Sequence, residues 1–186
     1  MQTTTEPATD AAHPGAIRAV ISHPTGGTLV MSGFPGLETS VDGQTYFDPE
    51  TCKETLAGMR ALGARDLHVL VEPGEIDTLG MDLLRASAAD TGLALIPFPI
   101  ADYSVPSDTQ FARWDAGRAA RAEVLASGGT LAFHCQYGAG RSGLMASLCL
   151  IEGGMAPDAA MRLVRSHFPD AVESAAQEDW LRARHP

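Results

Sequence analysis

The chain has 186 residues, 45% of them hydrophobic, which is enough for one domain with a core built around a sheet and too little for two. Its formal charge of −10 excludes an obligate nucleic-acid or anionic-membrane partner recognised through basic patches, so an anionic ligand needs a local positive pocket working against the global field. Cys52, Cys135 and Cys149 lie far apart and lack CxxC spacing, which gives no support to a zinc site or a disulfide framework; no apolar run suggests a signal peptide or a spanning helix. A cytoplasmic chain without membrane insertion is expected.

Residues 1–26 open on a Thr-, Ala- and Pro-rich stretch and are expected to form a flexible N-terminal segment, with the folded domain spanning 27–186. Residues 28–32 read as a first strand. Asp48-Pro49 predicts a helix start, with Asp as N-cap and Pro at the first helical position, and Gly63 ends that helix after Leu62. A second strand over 66–71 closes at Pro73-Gly74, and a helical pattern over 81–90 stops at Gly92. A third strand covers 93–98, and Pro97, Pro99 and Pro106 bracket an irregular loop. One long helix is expected over 108–127, with Phe111, Trp114 and Leu125 on its core side. Residues 130–133, bounded by Gly128-Gly129, read as a short buried strand, and helices follow near 143–152, 157–167 and 174–183. This alternation predicts a single α/β domain. Its mainly parallel central sheet should have about four to five strands flanked by helices, with ligands outside the strands' carboxyl ends.

The segment His134-Cys135-Gln136-Tyr137-Gly138-Ala139-Gly140-Arg141-Ser142-Gly143 lies between the last strand and the next helix. Gly138 and Gly140 let the backbone curl so that successive amides point inward, and the helix starting near Ser142 turns its unpaired amides to the same point. Arg141 adds a planar fork for two oxyanion oxygens. Together these form a phosphate cradle from residues 136–141 that needs no lysine and no cofactor. The same field favours the thiolate of Cys135, the form of cysteine that attacks phosphorus. Ser142 has two compatible roles: a hydrogen bond toward the Cys135 sulfur, or an N-cap.

This loop resembles the signature of the cysteine-dependent protein phosphatases, in which His-Cys, five residues, Arg and then Ser or Thr recur. Phe98-Pro99-Ile100-Ala101-Asp102 with Pro106 resembles the acid loop of the dual-specificity branch, and in particular of the kinase-associated phosphatases. Leu62-Gly63-Ala64-Arg65-Asp66 and Ala171-Val172-Glu173-Ser174 with Gln177-Glu178 are similar to the same subgroup, so the likeness runs over roughly residues 27–181. The resemblance implies a protein tyrosine phosphatase-like fold and metal-independent hydrolysis of phosphotyrosine, and of phosphoserine or phosphothreonine, in proteins. It implies Cys135 as nucleophile, Arg141 as phosphate clamp, Ser142 as helper of intermediate breakdown and Asp102 as general acid. A kinase partner is implied by the resemblance alone.

Asp108 competes for the role of acid, although its place just before a helix suits an N-cap, and the family's Pro-Ile-x-Asp pattern favours Asp102. His134 tunes the loop by resemblance and is otherwise a structural histidine at a strand end. Gln177 either helps position water or is a helix-surface amide, the commoner reading. Glu75 either braces Arg141 or is a solvated loop residue, again the commoner reading. Cys52 and Cys149 read as small packed residues. Gln136, Tyr137 and Ala139 are uncharged, whereas phosphoinositide phosphatases often carry basic residues here, so that substrate class comes second. A rhodanese-like protein lacks the Asp102 loop and the Gly140-Arg141-Ser142-Gly143 helix entry, and the low-molecular-weight phosphatases carry their loop near the N-terminus. A noncatalytic phosphate-binding module would usually have replaced the cysteine.

Overall fold

In a computed structural model, residues 13–184 are described, and they build a five-stranded sheet in the order β1-β2-β7-β5-β6 with helices on both faces. β2 (Thr28–Ser32), β7 (Thr130–His134), β5 (Ala64–Val69) and β6 (Ala94–Pro97) run parallel, while β1 (Ile17–Ser22) pairs antiparallel with β2 at the edge. The expected α/β class, single domain and mainly parallel sheet are therefore present.

The period of two along the strands divides the core. Leu29, Met31, Leu131 and Phe133 face one side, where they pack with α5 (Gly140–Glu152), α6 (Pro157–His167) and α7 (Ala175–Arg182). Val30, Ala132, Leu67 and Val69 face the other, against α1 (Pro49–Ala61) and α2 (Thr78–Thr91). β7 is buried along its whole length and sits at the sheet's centre, so the chain that leaves it enters the middle of the carboxyl edge. α5 is buried on every side except at Glu152, as an apolar helix between two layers must be.

Four expectations need correction. The segment 1–26 is not flexible throughout, because β1 falls within it; residues 1–12 lie outside the described residues. The signal for β1 was the alternation in Ile-Arg-Ala-Val-Ile-Ser, which buries Ile17, Ala19 and Ile21. A hairpin of β3 (Leu37–Thr39) and β4 (Thr45–Phe47) was missed, since strands of three mostly exposed residues leave no periodicity to read. The single helix over 108–127 is two, α3 (Asp108–Ala116) and α4 (Arg118–Ala126). The Trp114 carbonyl is taken by the Gly117 amide at 3.0 Å and the Arg121 guanidinium at 2.6 Å, so the ladder breaks at Gly117. Finally, α5 begins at Gly140 rather than near 143, which places Arg141 and Ser142 in its first turn. Among the described residues no helix is long and apolar enough to cross a membrane.

Candidate active site

Cys135 follows β7 directly, and the chain turns through residues 136–139 before α5 starts. Two carbonyls of the turn are drawn outward: Gln136 O accepts the Phe34 amide at 2.9 Å, and Tyr137 O accepts Arg18 Nε at 3.1 Å. Drawing the carbonyls out turns neighbouring amides inward, the geometry of an anion nest. Gly138 has φ of 97°, and a Cβ there would stand 2.5 Å from the Gly33 amide nitrogen. Its amide donates to Cys135 Sγ at 3.2 Å, a bond that a thiolate accepts better than a thiol. α5 has no side-chain cap from its own N-cap residue, Ala139, and its opening amides face the turn, the first of them, Gly140, beside the Glu173 carboxylate.

Arg141 is fully buried below this turn, and its hydrogen bonds leave a specific vacancy in its donor set. Nη1 and Nη2 each donate to one Glu75 carboxylate oxygen at 2.6 Å, and Nη1 also donates to the Ile100 carbonyl at 3.2 Å. Nη2 lies 3.2 Å from Asp102 Oδ1, while the buried Nε has no partner among the described residues. The guanidinium edge formed by Nε and Nη2 is thus the edge available to an oxyanion. Glu75 is the brace, not the solvated loop residue that sequence favoured. Its loop is closed by the Glu72 amide donating to Glu75 Oε2 at 3.0 Å and the Glu75 amide donating to Glu72 O at 3.1 Å. Burial pushes the Glu75 carboxyl up, but the bonds from Arg141 and Glu72 outweigh it and hold the group below the ordinary glutamate range.

The segment resembling an acid loop, residues 98–102, is an irregular extension of β6. Phe98 and Ile100 donate their amides to Val69 and Leu70 carbonyls, both at 2.9 Å, which carries residues 98–100 along β5 to the cavity. Gln110 of α3 reaches back to the Pro99 carbonyl. Asp102 ends the run half-exposed, with Oδ1 accepting the Tyr103 amide at 3.1 Å. Asp108 is not an N-cap: Ser107 caps α3 in a capping box with Gln110, and Asp108 stands one residue later in the first turn. Of the two aspartates, Asp102 is the one that lines the cavity.

Ser142 is not an N-cap either, being inside α5, and its hydroxyl donates to the Ser32 carbonyl at 3.3 Å rather than to the Cys135 sulfur. His134 is buried, its Nδ1 paired with Cys135 O at 3.2 Å and its ring set edge-on against Phe34. Burial pushes its pKa down to about 4, so the imidazole is neutral at pH 7. Gln177 is fully buried instead of lying on the helix surface. Its Oε1 accepts the Glu173 and Ser174 amides at 3.0 and 3.4 Å, and its Nε2 donates to Ser104 O at 3.1 Å, joining α7 to the acid loop. Cys52 and Cys149 are free and buried, with both thiols pushed up chiefly by burial.

Cys135, Gln136, Tyr137, Arg141 and Asp102 line one cavity of about 290 Å³ together with Tyr103 and Glu173, two residues that sequence reading had given no role. Glu173 was legible only as part of the resembling late segment, because nothing in its spacing connects it to Cys135. A larger cavity of about 480 Å³ is lined by Val71, Ile76, Met81 and Pro97 among others and includes no cysteine.

No protein-family model matches the chain, and no curated protein matches it. Solved structures do. A kinase associated phosphatase with its catalytic-site cysteine substituted by serine superposes with a TM-score of 0.68 at 20% identity, over 93% of this chain and 98% of that one. Tk-PTP in its active form gives 0.60 at 22% identity, over 91% and 97%. PTPMT1 in complex with PI(5)P gives 0.58 at 16% identity, over 83% and 87%. The chain therefore has the protein tyrosine phosphatase-like fold that its loop resemblance implied.

Proposed function

We propose that this chain is a phosphomonoesterase that hydrolyses phosphotyrosine, and phosphoserine or phosphothreonine, in proteins or peptides through a phosphocysteine intermediate. The observation that carries this reading is the convergence on one cavity of Cys135 Sγ, held by the Gly138 amide, the unpaired Nε of buried Arg141, and the Asp102 carboxyl.

The substrate's nonbridging oxygens take the loop amides and the free Arg141 edge, displacing Asp102 from Nη2. The Cys135 thiolate attacks phosphorus, the ester P–O bond breaks, and protonated Asp102 gives its proton to the departing oxygen. In the second step water attacks phosphorus with Asp102 taking its proton. The S–P bond breaks with its electrons returning to sulfur, and inorganic phosphate leaves. Ser142 eases that departure by turning its hydroxyl from Ser32 O to Sγ. The amides and Arg141 meet the growing charge on the phosphoryl oxygens, so the scheme requires no metal.

The PI(5)P complex of PTPMT1 supports a second reading, a phosphoinositide phosphatase. The residues lining the cavity weigh against it: Gln136 and Tyr137 carry no charge, and Glu173 is acidic. The test is hydrolysis of p-nitrophenyl phosphate, a phosphotyrosine peptide, a phosphoserine peptide and phosphoinositide vesicles in chelator, with Cys135→Ser as control. Turnover of the aryl phosphate and peptides that vanishes in Cys135→Ser is expected. Turnover surviving in Cys135→Ser, or restored only by metal, overturns the mechanism, and exclusive turnover of the lipid promotes the second reading.

A further inference from the structure

The cavity contains a carboxylate that the proposed mechanism does not use. Glu173 lies against Gly140, the first residue of α5, so closely that a Cβ on residue 140 would collide with its carboxylate. The backbone fixes it there. Val172 has φ of 60°, a left-handed conformation costly for a β-branched residue, and its amide reaches Ala139 O at 3.4 Å. The Glu173 amide is held by Gln177. Among the described residues the Glu173 carboxylate forms no ion pair, although it shares a cavity with Arg141.

The reason is visible in the local charges. Arg141 is already matched by Glu75, with Asp102 a second carboxylate on the same guanidinium, and Asp170 adds a further negative charge from the turn after α6. Before any substrate enters, the cavity thus holds more negative charge than positive. An ionised Glu173 beside the opening amides of α5 stands where an oxyanion would be received.

We infer that Glu173 is a built-in competitor for the phosphate seat, which must lose its charge or withdraw before a dianion can settle, making it a determinant of which phosphate charge state binds and at what pH. This rests on the phosphate-pocket reading given above. Burial raises the Glu173 carboxyl, the Gly140 amide pulls it back, Asp102 raises it again, and Arg141 and Asp170 act in opposite senses with the net result above the ordinary glutamate range. As pH falls, Glu173 therefore takes up a proton earlier than an exposed glutamate, and the seat opens.

Sulfate is the suitable probe, because its two charges are fixed across the range where Glu173 titrates. Binding to the full chain is followed by calorimetry from pH 5 to pH 8 in three proteins: Cys135→Ser, which removes the thiol's own titration, and that variant combined with Glu173→Gln or Glu173→Ala. Asp102, Asp170, Glu75 and Arg141 are common to all three, so differences belong to Glu173. Sulfate affinity of the single variant is expected to fall as pH rises, and both double variants to bind about tenfold more tightly at pH 8, with the gap narrowing as pH falls. Equal affinities at pH 8 overturn the inference while leaving the pocket intact. A gain in Glu173→Gln without one in Glu173→Ala overturns it too, since the new amide donor then explains the gain. Absence of sulfate binding in all three at every pH overturns the phosphate-pocket reading, and this inference with it.

Discussion

Arg141 and Glu75 meet through two parallel hydrogen bonds of 2.6 Å, although 66 positions separate them in the chain. The pair fixes the guanidinium plane, and so determines which edge of Arg141 faces the cavity. Glu75→Gln keeps the shape of the brace but removes its charge and one acceptor. It should lower kcat/KM for an aryl phosphate roughly tenfold through misorientation of the fork, and lower stability by about 2 kcal/mol, less than a fully buried broken pair because the carboxylate keeps some solvent contact. Steady-state kinetics and urea unfolding of the same variant check both, and an unchanged kcat/KM would remove Glu75 from the positioning of Arg141.

Asp102 pairs with Nη2 of Arg141 at 3.2 Å, and in the proposed scheme it turns to the leaving oxygen when phosphate takes that edge. A general acid matters in proportion to the basicity of the leaving group. Asp102→Asn should slow phenyl phosphate hydrolysis on the order of 100-fold and p-nitrophenyl phosphate only a few-fold. Equal losses on the two substrates would reject Asp102 as the acid.

What was legible in the sequence follows from how locally each feature is encoded. The loop from Cys135 to Ser142 could be read because cysteine, glycines and arginine lie within one turn and one helix start, and the alternation of strands and helices gave the sheet. Glu75, Gln177 and Glu173 could not be read in this way, because their roles depend on three separate loops meeting at the carboxyl edge. Gln177 shows the difficulty: its place at the third position of a short polar helix predicts exposure, yet the α7 start folds against the acid loop and buries it. The break at Gly117 depends likewise on Arg121 reaching back to Trp114 O, a contact that helical periodicity does not predict.

Two buried histidines make stability depend on pH. His68 sits edge-on to Trp114 and tilted against Phe133 with Nδ1 on Ala132 O, and burial pushes its pKa down to about 4, as it does for His134. In the unfolded chain both titrate near 6.5. The unfolded state therefore binds more protons between those values, so stability is full above about pH 6.5 and is lost as pH falls toward 4. Each histidine accounts for a loss on the order of 2 kcal/mol by pH 5. Urea midpoints at pH 7.5 and pH 5.0 should show that fall, and His68→Phe should reduce it by about half of the two-histidine loss. An equal fall in parent and variant would locate the acid sensitivity elsewhere.

Gln177 ties two functional segments together, and its two ends can be tested separately. Gln177→Leu leaves the Glu173 and Ser174 amides and the Ser104 carbonyl without their partner, which should cost on the order of 3 kcal/mol in urea unfolding. A structural loss of that kind does not by itself alter the dependence of rate on leaving group. Gln177→Glu retains the acceptor for both amides but loses the donor to Ser104 O, so the start of α7 stays capped while the acid loop keeps only the bond from the Ser174 hydroxyl to Tyr103 O. If the Ser104 bond holds Asp102 in reach, Gln177→Glu should slow phenyl phosphate more than p-nitrophenyl phosphate, a weaker form of the Asp102→Asn pattern, while Gln177→Leu shows the same pattern with the larger stability loss. A uniform loss on both esters would confine Gln177 to supporting α7.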